Sequence, residues 1–122
     1  MEKTVLIVDD SSTNNILLQS ILEGEGIKTS IALSGQEAFN YLTLTKPSLI
    51  LLDIMMPNID GFTVLKRIRE DDKTKEIPVV FITAKNDEKL KQKAIDAGAR
   101  DLISKPIDVN NVITVVKELL LN

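Results

Sequence analysis

The segment Leu49-Ile50-Leu51-Leu52-Asp53 is the most informative part of the sequence. Its first four residues are apolar at every position, which is typical of a strand that is covered on both faces in a parallel sheet. A carboxylate follows directly. Open parallel sheets place their functional sites at the carboxyl ends of the strands. Asp53 is therefore the first candidate for a functional residue.

The same pattern extends in both directions along the chain. Short apolar runs predict five strands at residues 4–8, 27–32, 49–52, 79–82 and 102–103. Apolar residues at helical spacing follow each run, and Ser34 to Glu37 fits a capping box at the start of the second helix. Five β-α units predict an α/β fold, a doubly wound parallel sheet with helices on both faces.

Composition narrows the function. The 122 residues predict a single domain, 1–122, with 43% hydrophobic and 27% charged residues. The chain has no cysteine and no histidine, which excludes disulfides, thiolate nucleophiles, sulfur-ligated metals and a Ser-His-Asp triad. A net charge of −3 and 3% aromatic residues argue against direct nucleic-acid binding. No apolar run suits a membrane span or a signal peptide, so we expect a cytoplasmic protein.

Polar residues gather where the predicted strands end, and they are Asp9, Asp10, Asp53, Thr83 and Lys105. Taken singly, an aspartate at a strand-to-helix junction is ordinarily a turn or N-cap residue. Together, carboxylates about 4 Å apart repel by roughly 4 kcal/mol per pair at an effective dielectric constant near 20. A hard divalent cation relieves this repulsion, and oxygen ligands of this kind suit Mg²⁺.

These side chains suffice for phosphoryl transfer. A carboxylate such as Asp53 can attack phosphorus and form an acyl phosphate. The charge on the phosphoryl oxygens would then be neutralised by Mg²⁺ held by Asp9 and Asp10, by the Lys105 ammonium, and by the Thr83 hydroxyl with a nearby backbone N–H.

Over essentially the whole chain, the sequence resembles the receiver domain of two-component response regulators, a CheY-like superfamily. The segments that carry the resemblance are Val5-Leu6-Ile7-Val8-Asp9-Asp10, Leu51-Leu52-Asp53-Ile54-Met55-Met56-Pro57-Asn58-Ile59-Asp60-Gly61, Thr83-Ala84, Gly98-Ala99 and Ser104-Lys105-Pro106. The resemblance implies a flavodoxin-like fold with strand order 2-1-3-4-5.

The resemblance also implies a role for each matching residue. Asp53 would accept a phosphoryl group from a sensor histidine kinase or phosphotransfer protein. Mg²⁺ would be bound by Asp10 and Asp53, by Asp9 largely through water, and by the backbone carbonyl of Met55. We expect no organic cofactor, and no turnover enzyme beyond the domain's own phosphoryl transfer and slow dephosphorylation.

The remaining implications concern the switch and its output. Thr83, Ala84 and Lys105 would contact the phosphoryl group, with Lys105-Pro106 a cis peptide. Thr83 would act as the switch hydroxyl. An output face of helix four, strand five and helix five, residues 87–121, would bind a downstream effector protein or a covalently linked output domain.

Three positions stand out from the family pattern. Leu102 lies where the family often has an aromatic switch residue, which places the usual coupling to Thr83 in doubt. Met55 and Lys85 lie where side chains tune access of the hydrolytic water, and we hypothesise that the apolar Met55 lengthens the phosphoryl lifetime.

A basic cluster precedes and enters the fourth predicted helix, and it comprises Lys85, Lys89, Lys91 and Lys93, with Arg100 nearby. One interpretation is a solvated helix face, and the other is a docking surface for an acidic partner segment.

Three other functions compete with a phosphorylation-dependent receiver domain. A flavodoxin-like cofactor binder would need a phosphate-cradling loop after the first strand, where this chain has two charges and no glycine. A phosphatase of the haloacid dehalogenase type would need a second acid two residues after Asp53, where Met55 stands. A receiver that serves only as a phosphate-independent interaction module stays open. Sequence leaves open whether the chain stands alone or belongs to a longer regulator or hybrid kinase.

Overall fold

Strands and helices alternate along the whole described chain. The computed structural model describes residues 3–85 and 87–121; the two ends of the predicted domain, residues 1, 2 and 122, lie outside the described residues. In chain order the elements are β1 (Thr4–Val8), α1 (Ser12–Glu23), β2 (Lys28–Ala32), α2 (Gly35–Leu44), β3 (Leu49–Asp53), α3 (Gly61–Glu70), β4 (Val79–Thr83), α4 (Glu88–Asp96), β5 (Asp101–Ser104) and α5 (Val109–Leu121).

All five strands pair in parallel, in the order β2-β1-β3-β4-β5. The expected doubly wound, flavodoxin-like fold is confirmed. Val8 of β1 lies beside Leu52 of β3, and Asp53 lies beside Ile82 of β4. This register brings the carboxyl ends of β1, β3 and β4 level with one another at one edge.

The sheet separates two apolar clusters. Alternate residues of β3 point to opposite faces, as the period of a strand requires. Ile50 and Leu52 pack towards α2, α3 and α4, whereas Leu49 and Leu51 pack towards α1 and α5. All four are fully buried. The uninterrupted apolar run therefore arises because both faces of the central strand are covered, as predicted.

Side-chain caps begin the helices that follow β1 and β2. The Ser11 hydroxyl accepts a hydrogen bond from the Asn14 N–H, and the Ser34 hydroxyl accepts one from the Glu37 N–H. The Glu37 carboxylate in turn accepts from the Leu33 N–H, so the predicted capping box is confirmed with its return bond one residue earlier than usual. No helix in residues 3–85 and 87–121 is long and apolar enough to cross a membrane.

Arg69 joins three parts of the fold at the far end of the sheet from the predicted site. Its guanidinium donates hydrogen bonds to the main-chain carbonyls of Lys75 (3.2 Å), Ile77 (2.7 Å) and Gly98 (2.8 Å). Partial burial, with Arg100 nearby, lowers the pKa of Arg69. A side chain on Gly98 would meet the Arg69 Nε at 3.1 Å, so the glycine leaves the room that the guanidinium occupies.

We expect Arg69→Met to lower the free energy of unfolding by about 2 kcal/mol, because three carbonyls lose a charged donor while the apolar stem is kept. Urea unfolding followed by circular dichroism measures this. Lys66→Met, on an exposed position of the same helix, is the matched control and should change stability little. Equal effects of the two substitutions would contradict the assigned role of Arg69.

Candidate functional site

The structure brings the predicted strand-end residues together. Asp9 and Asp10 follow β1, and Asp53 is the last residue of β3. One oxygen from each of the three carboxylates lies within 4.8 Å of the others. Asp9 and Asp53 are buried, whereas Asp10 is exposed to solvent. The result is a compact acidic cluster that opens at one edge of the sheet.

Lys105 partly balances this negative charge. Its Nζ lies 3.2 Å from Oδ2 of Asp9 and 3.8 Å from Oδ1 of Asp53. The Lys105 backbone N–H donates to the carbonyl of Thr83 at 2.7 Å, which anchors the loop after β5 to the end of β4. The peptide bond between Lys105 and Pro106 is cis, as expected. The ammonium thus reaches two carboxylates on different strands.

The backbone around Asp9 is held firmly. The Asp9 N–H donates to the carbonyl of Ala32 at 3.1 Å, which extends the pairing of β1 with β2. Oδ1 of Asp9 accepts from the Ser11 N–H at 2.9 Å, and its main-chain carbonyl accepts from the side-chain amide of Asn15 at 2.8 Å. Asp9 is therefore both a charged site residue and the start of the turn into α1.

Burial raises the pKa of Asp53 from the ordinary value of 3.8 to about 6. The negative charge of Asp9 adds to this rise. Lys105 and the Met55 N–H, which donates to Oδ1 of Asp53 at 3.3 Å, act in the opposite direction. Without an added cation, the site therefore disfavours the charged form of Asp53.

Gly61 supports the backbone of Asp53 from behind. A Cβ at this position would lie 2.6 Å from the main-chain oxygen of Asp53 and 2.8 Å from Cα of Ile54, both immovable neighbours. The Gly61 N–H donates to the Ile54 carbonyl at 2.9 Å. Asn58, in the loop between them, adopts a left-handed conformation with φ of 69°, which asparagine tolerates better than most residues. The side chain of Met55, two residues after Asp53 in the same loop, is 63% exposed.

Thr83 and Leu102 sit on the neighbouring strands. The Thr83 side chain is fully buried, and its hydroxyl accepts a hydrogen bond from the Lys85 N–H at 3.2 Å. Ala84, immediately after β4, is exposed at the site edge. Leu102 is half-buried beside Phe81 and packs against the cluster that includes α3 and α4. Thr83 thus lies at the end of β4, beside Ser104 of β5. Leu102, the predicted switch residue, lies two residues before Ser104 on the same strand.

The acidic cluster fits a hard divalent cation. The ligand atoms that Asp9, Asp10 and Asp53 offer are all carboxylate oxygens, the donors that Mg²⁺ prefers. A cation among them would offset the repulsion between Asp9 and Asp53 that contributes to the raised pKa. The donor set therefore agrees with the cation expected from the sequence.

The lysines of the basic cluster around α4 have different neighbours in the structure. Lys91 points to β5, where its Nζ lies 4.0 Å from Oδ1 of Asp101. Lys93 covers the ring of Phe62, with Nζ 4.4 Å from the ring centroid. Alternate residues of a helix point to different sides, so Lys91 and Lys93 contact different parts of the fold although they are close in sequence.

Asn15 is the site-related residue that the sequence analysis missed. It occupies the buried face of α1 together with Leu18 and Leu22, a spacing at which apolar residues are expected. A polar residue among apolar residues on the buried face of a helix indicates a specific hydrogen-bond partner, since buried polar groups need partners. Its partner, the Asp9 carbonyl, becomes visible only in the folded chain.

Comparison with known proteins identifies the family to which this sheet and its strand-end acidic cluster belong. The family model of the response regulator receiver domain matches residues 5–117. The chain belongs to this family, the receiver domains of two-component systems, whose general role is a phosphorylation switch.

Individual relatives show how widely the domain is used. The chain is 40% identical to response regulator PleD of Caulobacter vibrioides over 108 residues, covering 88% of this chain but 24% of PleD. It is 36% identical to the polar-differentiation response regulator DivK of Brucella anthropi, with 98% of each covered. The receiver domain of a signal transduction histidine kinase from Syntrophus aciditrophicus superposes with a TM-score of 0.89 at 34% identity, covering 98% and 90% of the two chains.

The raised pKa of Asp53 predicts a specific dependence of stability on pH. Between pH 3.8 and about 6 the folded state binds more protons than the unfolded state, so stability falls as pH rises through this window. Asp53→Asn removes the ionisation. In EDTA, the stability of Asp53→Asn relative to that of the parent should therefore rise by roughly 3 kcal/mol between pH 3.8 and neutral pH.

Urea unfolding of both proteins between pH 3.5 and about 8 measures this difference. Parallel pH profiles for the parent and Asp53→Asn would contradict the raised pKa.

Proposed function

We propose that Asp53 accepts a phosphoryl group from the phosphohistidine of a sensor histidine kinase or phosphotransfer protein, with Mg²⁺ bound beside it. The observation that carries this proposal is the position of the Lys105 ammonium, 3.2 Å from Asp9 and 3.8 Å from Asp53 within an acidic cluster. A structural ion pair needs one carboxylate, whereas a phosphoryl site needs a nucleophile, a cation site and a positive side chain.

In the proposed transfer, a carboxylate oxygen of Asp53 forms a bond to phosphorus as the bond from phosphorus to the imidazole nitrogen breaks. The electron pair leaves with the imidazole, which takes up a proton. The Lys105 ammonium, the Thr83 hydroxyl and the Ala84 N–H would stabilise the negative charge on the phosphoryl oxygens. Asp9, Asp10, Asp53 and the Met55 carbonyl would hold Mg²⁺, which supplies positive charge to the same group.

The switch follows from the contacts of Thr83. Its hydroxyl now accepts from the Lys85 N–H, and a phosphoryl oxygen on Asp53 would offer that hydroxyl an acceptor. Turning towards it would release the loop after β4, which leads into α4. We infer that Leu102, beside Phe81 in the sheet, repacks as this loop moves and that the face of α4, β5 and α5 reports the change to an effector or a linked output domain.

The role proposed for the domain is therefore that of a signalling switch in the cytoplasm rather than a turnover enzyme. The chain spans about a quarter of the length of PleD. The exposed lysines of α4 favour an effector segment with acidic residues, but only Lys89 and Lys93 share one side of the helix.

The first test is the intact mass of the protein after incubation with acetyl phosphate and Mg²⁺. We expect one added phosphoryl group, because the site supplies a nucleophile and charge neutralisation without help from the kinase. EDTA should abolish the adduct, and so should Asp53→Asn.

Asp60→Asn is the matched control, since Asp60 lies in the same loop and caps α3 through a side-chain oxygen that asparagine retains. It should still be phosphorylated. An unmodified parent, with a known receiver modified in parallel, would contradict the proposal and favour a phosphate-independent interaction module.

Met55→Asn tests the control of phosphoryl lifetime. The exposed methionine gives the site mouth an apolar side chain, whereas asparagine can hydrogen-bond an attacking water. We expect dephosphorylation to become several-fold faster, measured as loss of the mass adduct with time after removal of acetyl phosphate. Met55→Leu, which keeps the apolar character, should retain the parent rate. An unchanged rate in Met55→Asn would refute the hypothesis.

A further inference from the structure

Asn15 is buried at a cost in folding free energy that packing does not explain. Only 1% of its surface is exposed, and it shares the buried face of α1 with Leu18 and Leu22. Its amide nitrogen donates to the Asp9 carbonyl at 2.8 Å, but within residues 3–85 and 87–121 nothing donates to its Oδ1. A buried acceptor without a donor disfavours folding, and an apolar side chain would avoid that cost. The residue therefore calls for an explanation other than packing.

The hydrogen bond of Asn15 acts on the peptide unit between the first two site aspartates. The carbonyl that it holds belongs to Asp9, and the next residue is Asp10. Asp10 is exposed, and its carboxylate has no hydrogen bond or ion pair to another residue in the described part of the chain. Its oxygen nevertheless lies within 4.8 Å of those of Asp9 and Asp53. The direction in which Asp10 leaves the backbone thus depends on the peptide unit that Asn15 fixes.

We propose that Asn15 is a positioning residue for the cation site. Its amide holds the Asp9–Asp10 peptide so that the Asp10 carboxylate projects towards Asp9 and Asp53, which raises the affinity of the cluster for Mg²⁺. Partners one step removed from the ligands commonly tune metal affinity in this way. The inference rests on the proposed function, because it takes the acidic cluster to be a Mg²⁺ site.

A purely structural role makes a different prediction. If Asn15 only secured the start of α1, its loss would lower stability in EDTA and leave the Mg²⁺ affinity of the folded protein unchanged. A positioning role changes the Mg²⁺ affinity of a protein that is still folded. Stability and affinity must therefore be measured separately on the unphosphorylated protein.

The experiment uses Asn15→Leu, which removes the amide at similar side-chain length, and Asn15→Ala as a second variant. Calorimetric titration with Mg²⁺ gives the dissociation constant, and urea unfolding in EDTA gives the stability. We expect the Mg²⁺ dissociation constant to rise about tenfold in both variants. Asn14→Ala is the matched control, because only the backbone N–H of Asn14 bonds to Ser11, and it should match the parent.

The outcomes separate the two proposals. A parent that binds Mg²⁺, together with folded Asn15 variants that bind it equally well, overturns the positioning role alone. A parent that binds no Mg²⁺ overturns the cation site and this inference together. If neither Asn15 variant folds without Mg²⁺, the residue serves folding and the positioning role is also rejected.

Discussion

At one edge of the sheet, buried carboxylates lie close together, and the surrounding fold has to balance their charge. Asp9 and Asp53 are buried at the ends of adjacent strands, where they lose hydration and repel one another. Lys105 offsets part of that cost from the loop after β5. The strand order makes this charge balance possible. It places β1 beside β3, and β5 close enough for a lysine side chain in the loop after it to reach both carboxylates.

The charged cluster rests on close packing immediately beneath it. Gly61 meets the end of β3 so closely that a methyl group would collide with the Asp53 carbonyl, and the rings of Phe62 and Phe81 pack with their centroids 4.9 Å apart next to it. The proposed phosphoacceptor thus lies on closely packed backbone. At the end of β4, the Thr83 hydroxyl accepts a hydrogen bond from the Lys85 N–H.

Much of this arrangement follows from local sequence pattern. Apolar runs alternating with amphipathic segments are sufficient for the β-α order, and the carboxylates at strand ends indicate the site because parallel strands end together. Contacts between distant segments were beyond that reasoning. Arg69 bonds to carbonyls on two separate loops, and Asn15 bonds to a backbone atom that its side chain meets only after α1 forms. The lysines of α4 show the same limit, since Lys91 lies near Asp101 of β5 whereas Lys93 lies over the ring of Phe62.

The division of the core by β3 has a consequence for how this chain can vary over evolution. Ile50 and Leu52 serve one apolar cluster, and Leu49 and Leu51 serve the other. Deleting one residue inside the strand would exchange the two sets and withdraw the Asp53 carboxylate from the edge, since the side-chain period of a strand is two residues. Insertions and deletions in descendants of this domain are therefore confined to the connecting loops, while the central strand changes only by substitution.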